Sequence, residues 1–196
     1  MLNIYEKLIQ GLLDKGFASV DNWLSQQELI DLRKSLFKHQ EQQNFHLASI
    51  GKNENYQTLK EVRNDTIFWL NPTTANACEQ QFLQKITNFT SYLNRTCFTS
   101  IRSHEFQYAI YKQGTFYKKH VDQFKNDDKR QFSMVFYLTE QWQEGDGGEL
   151  LLYTKSGITT IQPVSGRMVF FKSNLPHEVV TSNCTRLSLT GWLKTS

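Results

Sequence analysis

Long apolar runs are missing from this sequence. No stretch approaches the roughly 20 residues that a membrane-spanning helix needs. Cysteine is scarce and unpatterned: Cys78, Cys97 and Cys184 stand far apart with no CxxC pair. An odd number without a framework reads as reduced thiols in a cytosol. The opening segment MLNIYEKLIQGLLDKGF interrupts its apolar residues with Glu6, Lys7 and Asp14, so it lacks the unbroken core of a secretory leader. A cytoplasmic location is therefore expected. Charge of one sign is lacking as well. With 22 basic and 19 acidic residues the net charge is +3, too balanced for a dedicated nucleic-acid binder. There is no low-complexity linker and no internal repeat. What is present suffices for one domain: 196 residues, 39% hydrophobic and 13% aromatic, with an aromatic content that argues against a disordered chain.

The chain divides into a helical first half, 1–103, and a strand-rich second half, 104–196. Residues 4–13 put Ile4, Tyr5, Leu8, Ile9, Leu12 and Leu13 on one helical stripe, with Gly16 as the stop. Ser25-Gln-Gln-Glu28 is a capping box. The helix it opens points Leu29, Leu32, Leu36 and Phe37 towards a core. A third helix is expected from about Thr74 to Tyr92, carrying Cys78, Phe82, Ile86 and Phe89 at three- and four-residue steps. Between the second and third helices lies the polar stretch GKNENYQTLKEVRND, then the strand-like TIFWL. That polar stretch reads as a solvated loop or as a substrate-gripping one. From residue 104 the period becomes two, and HEFQYAIYK, QFSMVFYL, GELLLYT, GITTIQP, RMVFF, EVVTS and RLSLTGWL form seven short strands between turn residues. Strands after a helical block predict a β-sandwich or barrel with helices on one face, a double-sheet jelly roll being the natural candidate.

Within the strand-rich half, His120-Val121-Asp122 puts an imidazole and a carboxylate on one face of an extended segment. His177 follows Pro176 and opens a strand. Two imidazoles and a carboxylate make the facial triad of non-heme Fe(II) oxygenases; the HExxH spacing of many zinc sites is absent. A His-X-Asp pair alone is equally a hydrogen-bonded structural pair. The strand from Arg186 adds discrimination, because alternation puts Arg186, Ser188, Thr190 and Trp192 on one face and Leu187, Leu189 and Leu193 on the other. An arginine turned inward needs an anionic partner, and a dicarboxylate supplies one through a bidentate grip. Tyr137 offers a phenolic donor on the face it shares with Ser133 and Val135, although a tyrosine in a β core is as often packing as ligation.

In order, Tyr111, His120-X-Asp122, Tyr137, His177 and Arg186 resemble the Fe(II)- and 2-oxoglutarate-dependent prolyl 4-hydroxylase family, in particular the branch of the oxygen-sensing hydroxylases of hypoxia-inducible factor and their bacterial relatives. The resemblance runs along nearly the whole chain: Glu61-Val-Arg63-Asn-Asp65-Thr-Ile-Phe-Trp69; Tyr111-Lys-Gln-Gly114-Thr-Phe-Tyr117-Lys-Lys-His120-Val-Asp122; Arg130 before Phe136-Tyr137-Leu138; Trp142; Gly147-Gly148-Glu149-Leu150; and Pro176-His177-Glu178-Val179 through Arg186 to Thr190 and Trp192. It departs at Lys112-Gln113-Gly114, a shortened turn, and in ending soon after Trp192 with no counterpart of the C-terminal helix that closes over substrate in some members.

The resemblance implies a double-stranded β-helix (jelly roll, cupin-like) of α+β, mainly β, class with N-terminal supporting helices, the whole of 1–196 forming one dioxygenase domain. It implies that His120, Asp122 and His177 bind Fe(II) and that Arg186 anchors 2-oxoglutarate, with Tyr137 and Tyr111 as hydrogen-bond partners. Thr190 and Trp192 would line the cosubstrate side, and Leu150 and Val179 its apolar wall. Tyr117, Arg130, Arg63 and Asp65 would face a peptide substrate. The expected reaction consumes O2 and 2-oxoglutarate, with ascorbate as reductant, and gives hydroxyproline, succinate and CO2. Its partner would be a protein substrate with a target proline, a loop of elongation factor Tu being the first to test, and no membrane or nucleic acid is expected. A metabolite oxygenase with the same iron chemistry and a non-catalytic metal- or 2-oxoglutarate-binding module are the competing readings.

Overall fold

The computed structural model describes residues 2–48, 61–123 and 128–196. Most of the polar stretch anticipated as a loop lies outside them. Among the described residues three helices precede the main run of strands. Helix α1 (Leu2–Lys15) buries Tyr5, Leu8 and Leu12. Leu13, expected on the same stripe, is 74% exposed; it lies about 100° round the helix from Leu12 and about 140° from Leu8, given 3.6 residues per turn. In α2 (Gln26–Glu41) the capping box forms as expected: the Ser25 hydroxyl accepts from Glu28 N, and the Glu28 carboxylate accepts from Ser25 N. Leu29, Leu32 and Leu36 are buried, whereas Phe37 is 44% exposed, displaced from that row by the same angular step. Helix α3 (Ala77–Thr96) starts later and ends later than the periodicity alone suggests. Asn76 caps it, accepting from Cys78 N and Glu79 N while Glu79 reaches back to Asn76 N, and this second capping box sets the first turn.

The strands form two sheets. A seven-stranded sheet runs β1 (Phe17–Val20), β9 (Met168–Lys172), β6 (Arg130–Tyr137), β11 (Arg186–Lys194), β4 (Ser103–Tyr111), β3 (Thr66–Trp69), β2 (His46–Leu47). A four-stranded sheet runs β5 (Tyr117–His120), β10 (His177–Val179), β7 (Leu150–Thr154), β8 (Gly157–Ile161). Adjacent strands are antiparallel throughout, as in β11 with β4 and β6. This double-sheet arrangement with helices on one side is the expected jelly roll. Strand β10 is shorter than the run EVVTS suggests, because the chain leaves the sheet after Val179 to bring Ser182 opposite Gly147. Strands β1, β2 and β5, of four, two and four residues, are too short to show a period of two.

Alternation divides the large sheet cleanly. Met134, Phe136, Met168, Phe170, Leu187, Leu189 and Leu193 face the helices and join one core with Leu8, Leu32, Phe82, Ile86 and Phe89. Val135, Tyr137, Val169 and Phe171 face the small sheet and join Leu150, Leu152 and Val179 in a second. The helices therefore keep water off the back of the sheet, leaving its front free to carry polar groups. Phe136, 1% exposed, is a hub of the first core, its ring centroid 5.0 Å from Trp23 and 5.1 Å from Phe82. Phe136→Ala is expected to cost about 3–5 kcal/mol, lowering the melting temperature by roughly 10 °C in a circular-dichroism melt. Leu13→Ala should leave stability within about 0.5 kcal/mol.

Candidate active site

Between the sheets lies a cavity of about 520 Å³ whose lining includes His120, Asp122, His177, Arg186, Tyr111, Tyr117, Thr190 and Trp192. Three of these converge. His120 ends β5 and stands directly opposite His177 of β10, and Asp122 follows two residues later. The anticipated extended segment stops at His120: Asp122 lies past the strand, placed by its own N–H donating to Ser173 O at 2.9 Å. Asp122 Oδ1 lies 3.5 Å from His120 Nε2, and Oδ2 lies 3.5 Å from His177 Nε2. One ligand atom from each residue falls within 4.8 Å of the others.

The tautomers are set from behind. His120 Nδ1 donates to Lys118 O at 2.7 Å and His177 Nδ1 donates to Leu175 O at 2.9 Å. Each bond puts the proton on Nδ1 and leaves an Nε2 lone pair aimed at the common centre, the usual arrangement for metal-bound histidine. His120 is stacked on Tyr117, with centroids 3.4 Å apart, and Phe171 meets His177 edge-on at 4.8 Å. Burial alone would raise the Asp122 pKa. The neighbouring imidazoles and a 2.6 Å hydrogen bond from Ser133 Oγ outweigh it, holding the carboxyl well below its ordinary range. Burial pushes the His177 pKa down, favouring the neutral ring. Two imidazoles and a carboxylate on one side of a cavity suit a divalent first-row metal with open coordination positions.

Arg186 occupies another part of the wall. It is 2% exposed, and its guanidinium lies 4.6 Å from the Tyr111 ring centroid and 5.0 Å from that of Tyr137. It makes no ion pair among the described residues. Its Nη1 reaches only Ser188 Oγ at 3.4 Å, and neither its Nε nor the Tyr137 hydroxyl has a partner. Burial pushes the Tyr137 and Tyr111 hydroxyls up in pKa, so both remain protonated donors at neutral pH. The chain makes room for this arginine at Gly148, whose φ is +74° and where a β-carbon would fall 2.8 Å from Arg186 Cδ. A buried cation beside an unpartnered phenol fits an anionic carboxylate, and 2-oxoglutarate carries one at each end.

The expected substrate-facing residues are placed less uniformly. Arg63 lines the cavity and lies 4.3 Å over Tyr117. Asp65, expected to face a substrate, is fully buried: it takes Arg63 Nε at 2.7 Å and Nη2 at 2.6 Å, and so acts on the cavity through that arginine. Burial and the nearby negative charge of Asp122 and Asp65 hold Tyr117 at a pKa of about 12 despite Arg63. Arg130 donates to Glu105 Oε1 from both Nε and Nη2, at 2.9 and 2.7 Å, and lies 3.7 Å over Trp192. Leu150 and Val179 form apolar lining. Periodicity did not single out the serine pair behind the Asp122 carboxylate, Ser133 with Ser173 at 2.9 Å. The available signal was two buried hydroxyl residues in or beside otherwise apolar strands.

These features define a jelly-roll oxygenase site with a His-Asp-His metal face, and the similarities of the chain agree. Residues 106–194 match the 2OG-Fe(II) oxygenase superfamily. A Pseudomonas putida prolyl 4-hydroxylase of known structure is 30% identical, with a TM-score of 0.88 over 98% of this chain and 100% of that one. The hypoxia-inducible factor prolyl hydroxylase of Caenorhabditis elegans is 30% identical over 96% of this chain, which spans only 28% of that longer protein. A prolyl hydroxylase from Trichoplax adhaerens, solved with a hypoxia-inducible factor peptide fragment, shares the fold at 22% identity and a TM-score of 0.89. The chain belongs to the 2OG-Fe(II) oxygenase superfamily, in its prolyl 4-hydroxylase-like branch.

The geometry sets the expected behaviour of the metal face. Ser133→Ala should weaken Co(II) binding by about 10–100-fold, as loss of a hydrogen bond to a ligand does elsewhere, and Asp122→Ala should abolish it, both read by calorimetric titration. Protons compete for the His177 Nε2 lone pair, whose pKa burial pushes down, so affinity should hold at pH 7 and fall only as the pH drops below the ordinary imidazole value of about 6.5. An affinity independent of pH between 7 and 5 would remove the histidines from the site.

Proposed function

We propose that the protein hydroxylates a prolyl residue of a protein substrate, using Fe(II), 2-oxoglutarate and O2 and releasing succinate and CO2. The observation that carries this reading is Arg186, a buried guanidinium with no counter-ion among the described residues, in the wall of the cavity that also holds the His120, Asp122 and His177 cluster. When bound, the ferrous ion and 2-oxoglutarate supply the oxidising chemistry, coupling decarboxylation of the keto acid to insertion of one oxygen atom into a substrate C–H bond.

The chain's own residues do the rest. His120, Asp122 and His177 would hold the metal, each offering one ligand atom. Arg186 seats the far carboxylate of the keto acid, with the Tyr137 and Tyr111 hydroxyls as donors and Leu150 and Val179 against its methylene carbons. Thr190 lies beside it on β11. Tyr117, Trp192 and Trp69 ring the open side with aromatic surface, which excludes bulk water and gives a proline ring a flat apolar partner. Arg63 and Arg130, each held by a carboxylate, flank that opening. The reading includes a cytoplasmic location and ascorbate as the reductant; no helix among the described residues is long and apolar enough to cross a membrane. Elongation factor Tu is the first substrate to try.

Purified protein with Fe(II), ascorbate and 2-oxoglutarate should release succinate faster with a proline-containing elongation factor Tu peptide than without it, with a 16 Da gain on the peptide by mass spectrometry. Stimulation by free proline and not by peptide would point to a metabolite oxygenase. Binding of 2-oxoglutarate without O2 consumption would point to a non-catalytic module. Arg186→Ala should raise the KM for 2-oxoglutarate by about one to two orders of magnitude, the worth of a charged bidentate contact.

A further inference from the structure

Two polar atoms in the cavity wall are left over once the metal and the keto acid have been given their partners. One is Oε1 of Gln107, the other Nε1 of Trp192, and neither has a hydrogen-bond partner among the described residues. Both side chains line the cavity while being 3% and 6% exposed. An unsatisfied buried polar group costs about 1–3 kcal/mol. A wall that keeps two of them is shaped for a ligand that completes them.

The ligand can be narrowed by what each atom needs. Gln107 Oε1 accepts, so it needs a donor. Ionised 2-oxoglutarate has none, and neither has the Asp122 carboxylate. Trp192 Nε1 donates, so it needs an acceptor. Their positions are also related. Gln107 on β4 stands directly opposite Thr190 on β11, and Trp192 is the next residue along β11 on that face. The two are diagonal neighbours, with α-carbons about 7–8 Å apart. Trp192 in turn pairs with Ser133, which holds Asp122, so Trp192 stands next to the His-Asp-His side and Gln107 one strand further from it. Trp69 pairs with Gln107 from β3 and closes the other flank with an indole ring.

A single peptide unit offers a carbonyl on one edge and an N–H on the other. The unit before a proline has no N–H, because the proline nitrogen carries none, whereas the unit after it has both. We infer that Gln107 and Trp192 grip the peptide unit on the C-terminal side of the target residue: Trp192 Nε1 donates to the target carbonyl, and Gln107 Oε1 accepts the N–H of the residue that follows. A substrate must then carry a non-proline residue immediately after its target. The identity of the target as proline rests on the function proposed above; the pairing with a peptide unit rests on the two orphan atoms.

The test uses the full chain loaded with Zn(II) and 2-oxoglutarate and labelled with ¹⁵N. The four tryptophans give four indole signals, and that of Trp192 is identified by its loss in Trp192→Phe. Three probes are titrated: N-acetyl-L-proline N′-methylamide, which has the following N–H, and the N′,N′-dimethylamide and methyl ester, which lack it. The methylamide should move the Trp192 indole signal and bind at least tenfold more tightly than either analogue. In Gln107→Leu that preference should shrink to about twofold or less, and in Gln107→Glu, which retains an acceptor oxygen, it should persist. Equal binding of the three probes to the wild-type chain, an undiminished preference in Gln107→Leu, or a Trp192 signal that no probe moves would overturn the inference. The proposed function is judged on succinate release, a separate readout, so either reading can fail without the other.

Discussion

A guanidinium withdrawn from water without a carboxylate beside it is costly, and the interior of this fold is arranged around that one constraint. Breaking such a charge away from its partner costs about 3–5 kcal/mol in buried pairs, so a chain that leaves Arg186 alone keeps a place for an anion. The surrounding choices follow. Tyr111 and Tyr137 flank the charge with ring faces, a favourable position for a cation. Gly148 gives up its side chain to make space for the arginine stem. The large sheet must be apolar behind this site, and the three helices bury that rear face.

The metal face shows a complementary economy. Asp122 lies 3.5 Å from the Nε2 of each histidine, and each of the three is also tied to the backbone or to a serine. The site is therefore ordered before anything binds, which lowers the entropy lost on binding. Tyr117 links this face to the rim, since its ring lies between His120 and Arg63, and Arg63 is in turn clamped by the buried Asp65. A change at Asp65 would thus be felt at His120 through Arg63 and Tyr117.

Most of the strands, the His120, Asp122 and His177 set and the face that Arg186 takes were legible in the chain, because each depends on local spacing. Alternation places Arg186, Ser188, Thr190 and Trp192 on one face whatever the sheet packs against, and the capping box at Ser25 is complete within four residues. The second capping box, at Asn76, shifted α3 from its expected start, since hydrogen bonding to the first turn outweighs the apolar period at a helix end. Leu13 and Phe37 show the limit of counting apolar residues, for each lies one angular step outside the stripe it was assigned to.

What the sequence determined by itself is the chemistry on offer: two imidazoles, a carboxylate, a cation and the phenols that accompany them, on strands of known facing. Only the tertiary structure decided which of these meet. The Ser133 hydroxyl reaches Asp122 from a different strand, Glu105 holds Arg130, and Asp65 is buried under Arg63 instead of meeting a ligand. Gln107 acquires its unpaired oxygen only because β3 and β11 close on either side of it. Such pairings arise from cross-strand register between residues distant in sequence, which no local period encodes.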